Sequence, residues 1–225
     1  MVGINNNGSM AGSSAISGDV AVHATPWQHG VISDLGTLGG PNSTAPEAAP
    51  QPNARRQVAG ASDTITPDPN GEDFCGFGTH LICLPFVSQK GALIALPTLG
   101  GNNGIASEVN NRGQVIGSSE STTQDPNCTA PTPELEPVIW EKGKAQQLPT
   151  PSGDLDGIAG AINDRGQAVG GTGNCSSELF VFPTHSVLWP GGQNGGVVNL
   201  GNLESTFFNV AFGSTIEVKW SDNRI

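Results

Sequence analysis

The chain has 225 residues, 32 of them Gly and 17 Pro, a load that suits many short strands and turns rather than helices, within one domain large enough for a substantial core. Its net charge of −11, with only nine Lys plus Arg, argues against nucleic acid and against an anionic membrane surface as partners. No apolar run approaches the roughly 18 residues that span a bilayer, so no membrane insertion is expected.

Met1 is followed by Val-Gly-Ile-Asn, without the basic, apolar and cleavage regions of a signal peptide. The chain reads as opening inside a repeat, as a fragment or a processed form does. Ile4-Asn5-Asn6-Asn7-Gly8 runs on to Gly12, and a degraded copy, Pro52-Asn53-Ala54-Arg55-Arg56, runs on to Gly60. Val109-Asn110-Asn111-Arg112-Gly113 leads to Gly117, and Ile162-Asn163-Asp164-Arg165-Gly166 leads to Gly170. The closing glycines at 12, 60, 117 and 170 are 48, 57 and 53 residues apart, a spacing that points to a repeat architecture.

Within the third copy, Ile105, Ser107 and Val109 alternate with Ala106 and Glu108 as a first strand. Asn110 to Gly113 is a hairpin turn, with Gly113 free to take a positive φ. Gln114 to Ser119 returns as a second strand, and a Pro-rich loop follows. Pro137 to Trp140 is a third strand, Glu141-Lys142-Gly143 a tight turn, and Lys144 to Leu148 a fourth strand. The third strand recurs as His23 to Trp27 and His185 to Trp189; in the second copy, Leu84 to Ser88, both His and Trp are replaced. Four antiparallel strands per unit of about 50 residues predict an all-β chain of propeller blades, in preference to a solenoid whose coils are about half that length. Small first strands (Ala106, Ser107; Ala159, Gly160, Ala161) suit a crowded centre, and the Trp of the third strand suits the wider space between blades. The approximate repeats are 1–40, 41–101, 102–153 and 154–203 within a single repeat domain. Residues 204–225, with Phe207, Phe208 and Phe212, read as a degenerate or truncated repeat, so the ring is expected to be incomplete.

These residues resemble the bacterial HAF-type extracellular repeat proteins. Asp34-Leu35-Gly36-Thr37-Leu38-Gly39-Gly40 matches the family's central heptad, and His185 to Trp189 and Ile162 to Gly170 match its flanks. The likeness covers residues 4 to about 203 and departs at Leu84, Ser88 and Arg56, where His, Trp and Gly are expected. It implies a propeller-like fold at the cell surface or outside the cell, and it carries over no activity and no catalytic residue.

Cys75, Cys83, Cys128 and Cys175 form no C-x-x-C pair, which leaves zinc or thioredoxin-like chemistry little support. An even count in loops is compatible with disulfides in an oxidising compartment. Cys75–Cys83 is the natural local pair, which leaves Cys128–Cys175 between repeats, although three connectivities exist and free thiols are the alternative. Asp63, Asp68, Asn70, Glu72 and Asp73 form an oxygen-rich loop; they are weak Ca²⁺ candidates, because EF-hand spacing is missing and a solvated acidic loop is the ordinary reading. His23 and His185 read as structural positions of the repeat, and His80, between Cys75 and Cys83, as a loop residue with a ligand role as the lesser alternative. No nucleophile elbow, His-Glu-x-x-His or phosphate loop appears, so no catalytic residue and no cofactor is assigned.

The Asn-x-x-Gly turns and the Trp-x-x-Gly turns share one face; the insertions 63–83, 120–135 and 173–184, with all four cysteines, share the other. Long loops on a rigid scaffold are where binding usually resides. The expected function is a non-catalytic binding module for protein or glycan on that decorated face, with a propeller-type glycosidase or lyase as the alternative. Unclosed ends would expose strand edges and favour self-association.

Overall fold

The computed structural model describes residues 3–45, 52–128, 132–175 and 181–201. Among them there is no helix, and the strands form four four-stranded antiparallel sheets, each paired in chain order. The first holds β1 (Gly3–Ile4), β2 (Met10–Ala15), β3 (Val22–Gln28) and β4 (Val31–Ile32). The second holds β5 (Ser43–Thr44), β6 (Ala59–Pro67), β7 (Leu81–Gln89) and β8 (Ala92–Ala95). The third is β9 (Gly100–Val109), β10 (Val115–Gln124), β11 (Pro133–Glu141) and β12 (Lys144–Gln147). The fourth is β13 (Asp156–Ile162), β14 (Ala168–Cys175), β15 (Val181–Gln193) and β16 (Val198–Asn199). The third strand of each sheet packs on the first strand of the next: β3 on β5, β7 on β9, β11 on β13. The expected remnant at 204–225 lies outside the described residues.

The repeated Asn is the element that ties sheet to sheet. In each first turn its Oδ1 accepts two backbone N–H groups, as Asn110 does from Arg112 and Gln114 at 3.0 Å. Its Nδ2 then donates across to the next turn: Asn5 to Pro52 O at 2.9 Å, Asn53 to Asn110 O at 3.0 Å and Asn110 to Asn163 O at 3.0 Å. A Gln four residues on takes a further Nδ2 bond in three of the turns (Gln57, Gln114, Gln167). The closing glycine has an equally concrete cause. A Cβ on Gly117 or Gly170 would strike the carbonyl of Ile105 or Ile158, and one on Gly60 the carbonyl of Thr44 and the ring of Phe86.

The indoles fill the space between sheets. Trp140 is buried with Ala59, Leu96 and Ala106, and Trp189 with Ile116, Ile139 and Leu148. Their Nε1 groups donate at 2.7 Å to Pro97 O and Pro149 O, in the links that lead into their own sheets. Trp27 of the first sheet is half-buried. In the second sheet Ser88 stands at the Trp position and its Oγ accepts from Val58 N–H at 2.8 Å. Phe86, two residues earlier, fills the gap against Ala24, Leu35 and Val58. The sequence-level irregularity of this repeat is thus met by an aromatic ring displaced along the same strand. Thr-Leu-Gly-Gly makes the link: Thr37 and Thr98 donate to the carbonyls of Gly40 and Gly101 at 2.7 Å.

The strands run further than the sequence reading drew them. β6, β7, β10, β11, β14 and β15 extend into the insertions expected to be loops, because their backbones continue to pair, as at Gln124↔Pro133 and Pro67↔Leu81. The decorated face is therefore built partly from extended hairpins.

Two outcomes follow from the turns. Asn110→Asp keeps the capping acceptor but places a carboxylate against the carbonyl of Asn163, and should lower unfolding stability by about 1–3 kcal/mol in denaturant titration. Arg56 holds φ at +62° where the sister turns carry glycine. Arg56→Gly should relieve that strain and raise stability by up to about 1 kcal/mol, measured the same way.

Candidate functional site

The second-to-third connections and the sheet-to-sheet links share the end opposite the Asn turns. Two disulfides pin this end: Cys75–Cys83, with a Cα–Cα distance of 6.1 Å, and Cys128–Cys175, at 5.3 Å. The first closes the 67–81 hairpin on itself; the second joins the third sheet's insertion to β14 of the fourth.

Beneath the disulfides lie two buried carboxyl clusters built on one plan. Asp68-Pro69-Asn70 and Asp125-Pro126-Asn127 are the same local motif, in which the Asp Oδ1 accepts the N–H of the Asn at 2.7 Å. Each Asp meets a residue from the start of the next sheet's first strand, Asn103 or Asp156. Asn103 Oδ1 accepts Cys83 N–H at 2.9 Å, and Asp156 Oδ1 accepts Leu135 N–H at 2.7 Å. The two sites then diverge. Asn103 donates through Nδ2 to Asp68 at 2.9 Å, to Glu120 at 3.2 Å and to Glu72 at 3.3 Å, so a neutral amide collects three acidic groups. Asp156 has no such donor. Its Oδ2 takes Cys175 N–H at 2.9 Å, and the Asp125 carboxyl lies beside it, as the Glu120 carboxyl lies beside Glu72 at the other site.

Electrostatics follow from this packing. Burial, together with the Asp125 carboxyl beside it, pushes Asp156 up to about 8. Burial and the neighbouring Glu120 likewise push Glu72 up to about 8. Glu136, buried on β11 at the place the His occupies in two other repeats, rises to about 7, chiefly through burial. At those other places His185 Nδ1 lies 2.9 Å from Asp154 and His23 Nδ1 2.8 Å from Asp34. Desolvation opposes ionisation of Asp34, but the Gly36 N–H and His23 outweigh it and hold this carboxyl below its usual range.

The five oxygen-bearing residues singled out from the sequence are divided by the fold. Asp68, Asn70 and Glu72 meet at Asn103 and Glu120. Asp63 instead accepts from Asn42 and Thr79, both at 3.1 Å, and Asp73 takes Gly78 N–H at 2.8 Å. Asp125 lies beside Cys128 and Cys175, but both sulfurs are in the disulfide, so they offer no thiolate to a metal. Sequence reasoning gave no site role to Asn103, Glu120 and Asp125, and weighed Asp156 only within the acidic segment Asp154-Leu155-Asp156-Gly157, a weaker cation candidate than the 63–73 loop. The repeated Asp-Pro-Asn was the signal that marked the two insertions as copies of one device.

As chemistry, these are interior groups rather than an open pair. Asp63, Asp125, Asp156 and Glu120 are at most 4% exposed. Asp63, Asp125, Asp156 and Glu120 each accept backbone N–H groups, so their oxygens are committed to holding insertions onto the sheets. Among the described residues no helix is long and apolar enough to cross a membrane. No protein-family profile, no curated protein and no solved structure matches the chain.

The Asp125–Asp156 pair gives a pH test. A carboxyl raised in the folded state binds its proton there while the unfolded chain has already lost it. Stability therefore falls as pH climbs from about 4, the ordinary Asp value, to the folded value of about 8, and is level beyond. Asp125→Asn supplies a donor to Asp156 and removes the part of the upward shift that the Asp125 carboxyl contributes, leaving the larger part that burial contributes. Its thermal midpoint should match the parent chain near pH 4 and exceed it increasingly up to pH 8; a constant difference would contradict the contribution of the Asp125 carboxyl.

Proposed function

We propose that the chain is part of a β-propeller of HAF-type repeats that acts at the cell surface or outside the cell as a non-catalytic module binding protein or glycan through its decorated face. The observation that carries this reading is the contrast between the two ends of the sheets. One end repeats the same Asn bridge from sheet to sheet, while the other carries disulfide-pinned inserts of differing sequence. Variable inserts on a constant frame are how scaffolds present ligand-specific surfaces. The propeller reading is supported by four four-stranded sheets, each stacked third strand to first strand with an aromatic residue between them. Two oxidised cysteine pairs support an oxidising location.

Ile65 stands 77% exposed on this face, between the Asp63↔Cys83 and Pro67↔Leu81 pairs, and serves as the contact residue to be tested. Arrays of glycans and of surface proteins, probed with the chain and with Ile65→Asp, test the reading. Saturable binding without product, weakened about tenfold or more by Ile65→Asp, is the expected result. Turnover of a glycan would instead favour a propeller-type glycosidase or lyase.

A further inference from the structure

Charge is sorted by end. Consecutive antiparallel pairing brings the first-to-second and third-to-fourth turns of every sheet to one end of the molecule. Every described Lys and Arg stands there: Arg55, Arg56, Arg112 and Arg165 in the Asn turns, and Lys90, Lys142 and Lys144 in or beside the outer turns. All are exposed. Among the described acidic residues only Glu108, Glu141 and Asp164 share this end, and Glu108 is buried against Ile162 N–H. Among the described residues the ion pairs are both His–Asp, so none of these cations is neutralised by a carboxylate. A chain of net charge −11 thus carries a basic face. At physiological salt, charges more than about 8 Å away are largely screened, so the acidic end does not cancel it.

The face also has relief. Between the third and fourth sheets a cleft of about 180 Å³ is lined by Arg112 and Arg165, by one carboxylate, Glu141, and by the amides of Gln114, Gln146 and Asn194, so two guanidinium groups face a single acid there. Arg112 uses one N–H on the carbonyl of Arg165 at 3.3 Å, and Arg55 uses one on Asn111 O at 3.0 Å. The Arg165 guanidinium makes no hydrogen bond to the protein among the described residues. Paired guanidinium forks match carboxylates, and amides match hydroxyls.

We propose that this turn face is a docking surface for a linear carboxylate-bearing polysaccharide, with a uronate seated in the cleft between Arg112 and Arg165 and Arg55 meeting the polymer one sheet further along. One exposed Arg or more per turn in the second, third and fourth sheets suits a ligand that repeats its charge along a line, since weak contacts in a row combine multiplicatively. A nucleic acid fits less well, because among the described residues no exposed large hydrophobic is aromatic and bases would lack a stacking platform. The surface lies at the opposite end from the decorated face, so it goes beyond the function proposed above and fails or stands independently of it.

Electrophoresis through gels containing polygalacturonate, with neutral dextran as the reference, tests it. The chain should be retarded by polygalacturonate alone, with retardation falling as salt rises. Arg165→Gln should weaken apparent affinity about fivefold or more, and Arg112→Gln/Arg165→Gln about tenfold or more, while Ile65→Asp leaves it unchanged. Among the described residues Arg165 holds no partner through its guanidinium, so this single variant keeps the test valid should the double variant fold poorly. The proposal is overturned if polygalacturonate does not retard the chain at low salt, or if Arg165→Gln is retarded as strongly as the parent. Equal or stronger retardation by a single-stranded oligonucleotide also overturns it. So does concentration-dependent sedimentation of the free chain that Arg165→Gln abolishes, which would assign the face to a second copy.

Discussion

One side-chain amide recurs with one task along this chain. The turn Asn accepts two backbone N–H groups of its own turn and donates outward to the carbonyl of the turn in the next sheet. Both halves are needed together. A hairpin cap alone would be satisfied by Asp or Ser, and an inter-sheet donor alone by Gln or Lys. Only a short amide offers an acceptor and a donor at that reach, which is why the sheets can stack with so few conventional core residues. The Trp and Phe rings then fill the remaining volume, and the closing glycines let strand carbonyls approach where any Cβ would collide.

The sheets, their antiparallel order and the role of the third-strand indole were legible in the sequence, because each leaves a mark at a fixed interval. The positive-φ glycine, the Asn before it and the Trp after it are chemically constrained positions. The substitution of Phe86 for a missing Trp was not legible, since the ring comes from a different register position and only packing shows which void it enters. The extent of the hairpins was obscured by prolines: Pro67 and Pro133 sit inside strands, at ends where the ladder is already irregular. The proposed location and type of scaffold rest on a resemblance carried by the heptad Asp34–Gly40 more than by any other segment.

For the decorated end, sequence reading found an acidic loop but drew its boundary within one insertion. The structure shows that the relevant unit crosses sheets. Asp68 belongs with Asn103, and Asp125 with Asp156, partners 35 and 31 residues away from them in the chain. No local motif encodes such a pairing; only the equivalence of the two Asp-Pro-Asn segments does. The exchange of Asn103 for Asp156 replaces an amide bridge by a carboxyl, while each site keeps a buried carboxyl pair with one member pushed up to about 8.

Because every Asn bridge reaches a single neighbour, mechanical load along the stack has no parallel path on that side. Tension applied at the two extremities would be borne in series, bridge after bridge, with peeling expected to start where the aromatic filling is thinnest. The Cys128–Cys175 link alters this for one junction alone, since it clamps the third and fourth sheets covalently while the earlier junctions rely on noncovalent contacts. An array of this kind would yield in unequal steps, with its last described junction the most resistant to being pulled apart.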